Sequence, residues 1–191
     1  MNRILIMAVQ VREKTIEDME TKLSSMATAL NKIVYLESVL KVAAPDFEIK
    51  RFVWGELARL YEERGMFERA ARALGNLASM EPMFRERMDS YVMAAEMFCR
   101  IGKVGDAEEM FTRAGRDVTR DGKKKILLAR KNVYLSAAQE LERKGKRASA
   151  VKFYEKLIKM KLENVEREEI VEKLRVSYKA LGMFREARLL G

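Results

Sequence analysis

Apolar residues recur along this chain at steps of three and four, the spacing that places them on one side of a helix. Ile16, Met19, Leu23, Met26, Leu30 and Ile33 form one such stripe, and no Gly or Pro interrupts residues 1–44. This predicts one long helix, or two with a break near Ser24-Ser25. Further on, a tighter pattern recurs. Trp54, Leu57 and Tyr61 are matched by Tyr91, Ala94 and Phe98, by Tyr134, Ala137 and Leu141, and by Val171, Leu174 and Tyr178. Each trio is followed by a glycine, at Gly65, Gly102, Gly145 and Gly182, with spacings of 37, 43 and 37 residues. A small residue comes five positions after each glycine: Ala70, Ala107, Ala150 and Ala187.

The pattern predicts four helix pairs. Apolar residues at i, i+3 and i+7 line one face of a helix A, and glycine supplies the left-handed conformation that ends it. Helix B then crosses at the alanine. The first and last copies agree most closely, with Leu57, Tyr61, Gly65, Met66, Phe67 and Ala70 meeting Leu174, Tyr178, Gly182, Met183, Phe184 and Ala187. Pro45 and Pro82 stand just ahead of two A helices, where a missing N–H costs little, and Asp106-x-x-Glu109 has the spacing of a capping box. Two segments follow: residues 1–45, a helical cap or self-association segment, and residues 46–191, the repeats.

The motif Trp-x₂-Leu-x₃-Tyr, then Gly, then Ala-x₃-large, then Pro resembles the tetratricopeptide repeat, with four phased copies over about residues 46–191. Arg175 departs from the pattern, standing where a small residue belongs. The resemblance implies an all-α, right-handed superhelical stack of antiparallel helix pairs with an extra N-terminal helix. It implies a non-catalytic adaptor that holds a protein or peptide in the groove lined by the A helices. Carried over by position, that groove presents Gly55, Arg59 and Glu62, then Val92, Glu96 and Cys99, then Asn132, Leu135, Gln139 and Glu142. The clamp that chaperone-binding members use for a C-terminal carboxylate falls on Gly55, Arg59, Met93 and Glu96, which breaks its Lys/Asn/Arg pattern. A receptor for chaperone tails is therefore not expected.

Charge adds a second candidate surface. The net charge is +9, and residues 116–161 carry 15 Lys/Arg against 5 Asp/Glu, so the rest of the chain is close to neutral. The basic patch comprises Lys123, Lys124, Lys125, Arg130, Lys131, Lys144, Lys146, Arg147, Lys152, Lys156 and Lys159. Lys152, Lys156 and Lys159 are spaced i, i+4, i+7 and predict an outward stripe on the third helix B. Such a cluster could engage nucleic-acid phosphate, an acidic protein or an anionic surface, or serve only to keep the fold soluble.

Composition removes most chemistry. Histidine is absent and Cys99 is the single cysteine, so Ser-His-Asp and Cys-His nucleophile sets and His- or Cys-based zinc sites cannot be built. The neighbouring carboxylates Glu62-Glu63, Glu108-Glu109 and Glu168-Glu169 point in different directions on helices. No cofactor and no enzyme activity are expected. The apolar run Ile4–Val9 is well short of the ~20 residues of a membrane span, and no signal-peptide cleavage pattern follows it. A cytoplasmic protein is the expectation, and the scarcity of glutamine (Gln10 and Gln139) leans toward a thermophilic source. Self-association through residues 12–44 or the C-terminal helix is a third possibility.

Overall fold

A computed structural model of the protein describes residues 11–41, 45–116 and 118–190. The early run Ile4–Val9 lies outside them. Among the described residues every regular element is an α-helix. Two compact units are formed, residues 1–90 and 91–191. This division differs from the boundary expected near residue 45, because the segment before that point packs into the first repeat.

In the first unit the N-terminal stripe forms two helices, α1 (Ile16–Ser25) and α2 (Ala29–Lys41), which decides between the two readings. The Thr15 side chain caps α1 by accepting from the Asp18 N–H at 3.2 Å. Met19, Leu23 and Ile33 are buried, whereas Leu30 remains exposed. The stripe is thus spent inside the unit, with α2 packed against α3 (Phe47–Glu63). Asp46, just after Pro45, caps α3 by accepting from the Ile49 N–H at 2.8 Å. Val53, Leu57, Leu60 and Tyr61 of α3 meet the small face of α4 (Phe67–Met80), whose Ala70, Ala71, Ala73 and Ala78 are essentially inaccessible. Small side chains there let the two helix backbones approach closely. Glu37 of α2 ties the group together, accepting from the Tyr61 hydroxyl at 2.5 Å and from Arg69 at 3.3 Å.

The division between units falls inside α5 (Phe84–Arg100). The second unit continues with α6 (Val104–Ala114), α7 (Arg120–Arg143), α8 (Arg147–Leu157), α9 (Asn164–Ala180) and the short α10 (Phe184–Arg188). Helices α7 and α8 pair through an extensive contact, as α8 does with α9 and α9 with α10. The centre is aromatic: Phe111 of α6 packs edge-on to Tyr134 of α7 at 5.6 Å, and Tyr134 meets Phe153 of α8 at 5.5 Å. Such arrangements suit the ring quadrupole.

Four turns repeat one geometry. Gly65, Gly102, Gly145 and Gly182 adopt φ of 69°, 77°, 71° and 75°, where a side chain would be strained. At each, the glycine N–H reaches back three residues and the next N–H reaches back five, closing a Schellman motif. The longer bonds are Met66 to Tyr61 (2.8 Å), Lys103 to Phe98 (3.0 Å), Lys146 to Leu141 (2.8 Å) and Met183 to Tyr178 (2.9 Å). The expected capping box at Asp106–Glu109 does not form. Helix α6 starts earlier, at Val104 directly after the Gly102 turn, and Glu109 pairs instead with Arg113 at 2.5 Å.

Candidate partner-binding surface

Seven of the residues expected in the groove lie at outward positions, and the two units supply them separately. Arg59 and Glu62 belong to α3 in the first unit. Val92 and Glu96 on α5, with Asn132, Leu135 and Gln139 on α7, belong to the second. Each lies off the buried stripe of its helix: Arg59, Asn132 and Gln139 are exposed, and Glu62, Val92, Glu96 and Leu135 are half-buried.

Their side chains differ in what already holds them. Arg59 is clasped on its own helix by Glu56 at 2.7 Å and Glu63 at 2.5 Å, and these carboxylates raise its pKa. Glu96 pairs with Arg100 one turn on, at 2.9 Å. These charges are neutralised locally, as i,i+3 and i,i+4 pairs on helices are. Asn132 and Gln139 have no hydrogen-bond partner among the described residues. With Leu135 between them they form an outward row of two amides and one aliphatic side chain on α7. Directly behind it Tyr134, Ala137, Ala138 and Leu141 are buried.

Two expected groove residues face elsewhere. Cys99 is fully buried; burial foremost, and then Glu96 and Glu108, push its thiol pKa far up, which leaves it unreactive. Glu142 turns to the neighbouring helices, accepting from the Tyr154 hydroxyl at 2.8 Å and the Ser177 hydroxyl at 2.9 Å. Glu142 is drawn in by partners that a single helix's periodicity does not reveal, whereas Cys99 is sealed by packing alone. The methionines divide in the same way: Met97 and Met110 are buried, while Met83 and Met93 are exposed.

The basic patch is also divided. Arg130 of α7 donates to both oxygens of Glu108 on α6, and Lys156 of α8 approaches the same carboxylate at 3.4 Å. Burial would raise the pKa of Glu108, but the hydrogen bond from Arg130, the neighbouring Tyr134 and the charges of Arg130 and Lys156 bring it below its ordinary value. Arg130 also lies over the Tyr134 ring at 5.5 Å. Lys131 pairs with Glu166 of α9 at 2.6 Å, and Lys144 with Glu140 at 3.0 Å. With Arg143, Lys144 holds the Glu140 carboxyl down at about 2. The expected outward stripe is therefore not formed as drawn. Lys152 is exposed on α8, Lys156 leans onto Glu108, and Lys159 lies beyond the helix, which ends at Leu157. Lys123, Lys125, Lys146, Arg147, Lys152 and Lys159 have no carboxylate partner among the described residues.

Among those residues no group of His, Cys, Asp and Glu side chains could hold a metal ion, and no helix is long and apolar enough to cross a membrane. A shallow depression of about 410 Å³ on the α9–α10 pair is lined by Arg175, Lys179, Phe184, Ala187 and Arg188.

No family model and no curated protein matches the chain. One solved structure is similar: the crystal structure of kinesin light chain nearly identical TPR-like repeats from Podosopora anserina. It is 19% identical, the match covers 91% of this chain and 88% of that chain, and the TM-score is 0.37.

Proposed function

We propose that this protein is a non-catalytic scaffold that binds a partner protein or peptide on the outward face of its A helices. The observation that carries the reading is the row Asn132, Leu135 and Gln139 on α7. Two amides without partners among the described residues flank an aliphatic side chain, on a helix whose opposite face is closed packed core. Amides of this kind bond the main chain of an extended peptide or the polar side chains of a helical one, and the leucine adds apolar contact between them. Acid–base or nucleophilic chemistry has no support in the residues: histidine is absent and the thiol is sealed.

The runner-up is binding of nucleic-acid phosphate through residues 116–161. The ion pairs of Arg130, Lys131, Lys144 and Lys156 weaken it, because those cations already have carboxylates. The two readings separate in one experiment. Immobilised protein is used to capture partners from source-cell extract, with and without nuclease, beside the variant N132A/L135E/Q139A. Proteins retained after nuclease and lost by the variant support the scaffold. A catch that vanishes with nuclease, and that the variant keeps, overturns it in favour of nucleic acid.

A further inference from the structure

The four A helices all stop two residues before their glycine, but they do not all start in step. Helices α3, α5 and α9 are 17 residues long, whereas α7 is 24. The surplus is one heptad, Arg120–Ile126, about two turns and ~10 Å of additional helix. It contains Lys123, Lys124 and Lys125 together.

This extension is anchored. Thr119 caps it by accepting from the Gly122 N–H at 3.2 Å. Gly122 and Ile126 are buried, and a Cβ at Gly122 would lie 3.1 Å from the Val118 side chain. A heptad preserves helical phase to within ~20°, so the added turns continue the faces of the repeat helix. On the outer side the lysine triplet leads straight into Leu127 and Leu128, which are 53% and 56% exposed. Lys124, Leu127, Leu128, Lys131 and Leu135 follow at i, i+3, i+4, i+7 and i+11, which is one face.

The cations of the added turns also differ from those further along α7. Arg130 and Lys131 are bound to Glu108 and Glu166 on neighbouring helices. Lys123 and Lys125 have no carboxylate partner among the described residues, and Lys124 pairs with Asp121 of its own turn, 3.6 Å away with both side chains largely in water.

We propose that this extension is a docking site for an acidic amphipathic helix of a partner protein. Carboxylates of that helix meet Lys124, with Lys123 and Lys125 flanking it on either side, and its apolar ridge lies on Leu127 and Leu128. The proposal rests on the scaffold reading but places the contact on the added turns. Charge complementarity sets the sign of the partner, and the leucines set its kind. A phosphate backbone gains nothing from two aliphatic side chains, and aromatics that would stack on bases are absent from the patch. Two leucines are also too small a face for a membrane surface, which takes an apolar stripe several turns long.

The test is selection on the full chain from a helical peptide library. Leucine is fixed at i, i+3 and i+7, and the remaining positions are drawn from Glu, Gln and Lys. The expected result is enrichment of Glu-rich peptides. Their affinity falls at least about tenfold with K123E/K124E/K125E, and about as much with L127S/L128S. The milder K123Q/K124Q/K125Q gives a smaller loss, and circular dichroism confirms that every variant folds. T112A, an exposed position on α6 outside both candidate surfaces, leaves these peptides bound within about twofold. If N132A/Q139A abolishes binding while the lysine and leucine variants do not, the docking proposal fails and the scaffold reading stands. The proposal is overturned equally by enrichment of neutral or Lys-rich peptides, by no enrichment, or by affinity indifferent to L127S/L128S. Tighter binding of a short DNA duplex or of phosphatidylserine vesicles than of the selected peptides also overturns it.

Discussion

Helices α3 and α7 end on the same turn and bury the same kind of stripe, yet they present opposite surfaces. On α3 the outward charge is consumed at home, with Arg59 held by Glu56 and Glu63 of its own helix. On α7 the outward row is Asn132, Leu135 and Gln139, and ahead of it stand two extra turns carrying lysines and leucines. The repeat positions that set the fold are those facing inward, together with the glycine. The outward positions are free to differ without disturbing the turn, and α7 is where they are left unsatisfied.

The largest effect expected is in the core behind that row. Tyr134 is fully buried between Phe111 and Phe153, whereas Trp54 holds the equivalent place on α3 half-buried. Tyr134→Ala should cost about 3–5 kcal/mol in urea unfolding, and Trp54→Ala less. A larger loss at Trp54 would reverse the comparison.

Next comes the carboxylate that braces α7 from behind. Glu108→Gln leaves Arg130 and Lys156 without their anion and should cost about 1–3 kcal/mol, reduced from the fully buried case because the pair keeps some solvent. The folded protein holds the pKa of Glu108 below its ordinary 4.5. Its contribution is therefore complete above that value and is lost as pH falls through the folded pKa. Acid titration of stability should accordingly be shallower in Glu108→Gln than in the wild type. Equal slopes would show that Glu108 is not a source of the acid sensitivity.

Smaller again, and equal on both helices, are the turns. Gly65 and Gly145 have φ of 69° and 71°, with open space where a methyl group would stand, so only backbone strain is at stake. Alanine at either should cost about 1–2 kcal/mol by thermal or urea unfolding. Unequal losses would mean that the two turns are not equivalent. Smallest is Arg59→Ala, an exposed residue paired within its own helix, expected to shift stability by under ~0.5 kcal/mol.

How far the sequence led can be judged from particular residues. The four glycines and the inward stripes were legible because each obeys a local rule: left-handed backbone at a helix end, and apolar spacing on a helix face. The break after Ser25 was one of two readings, decided by α2 turning back onto α3. The length of α7 was only half visible. The 43-residue spacing showed surplus chain, but nothing local distinguished loop from helix until Thr119 and the buried Gly122 and Ile126 were seen to anchor it. Glu142 and Lys156 were misplaced for a common reason. Periodicity gives the face of one helix, whereas their partners Glu108, Tyr154 and Ser177 belong to others. The candidate surface was thus legible as a row of positions, but not in which of them are already taken.

The most direct test of the claim that α7 presents the binding face is site-specific photo-crosslinking in source cells. A photoreactive residue is placed singly at Gln139 on α7, at Arg59 on α3, and at Thr112 on the exposed side of α6. The account predicts a discrete protein adduct from Gln139, resistant to nuclease, with little from Arg59 and none from Thr112. Adducts of equal strength at all three positions, or an adduct at Thr112 alone, would contradict it.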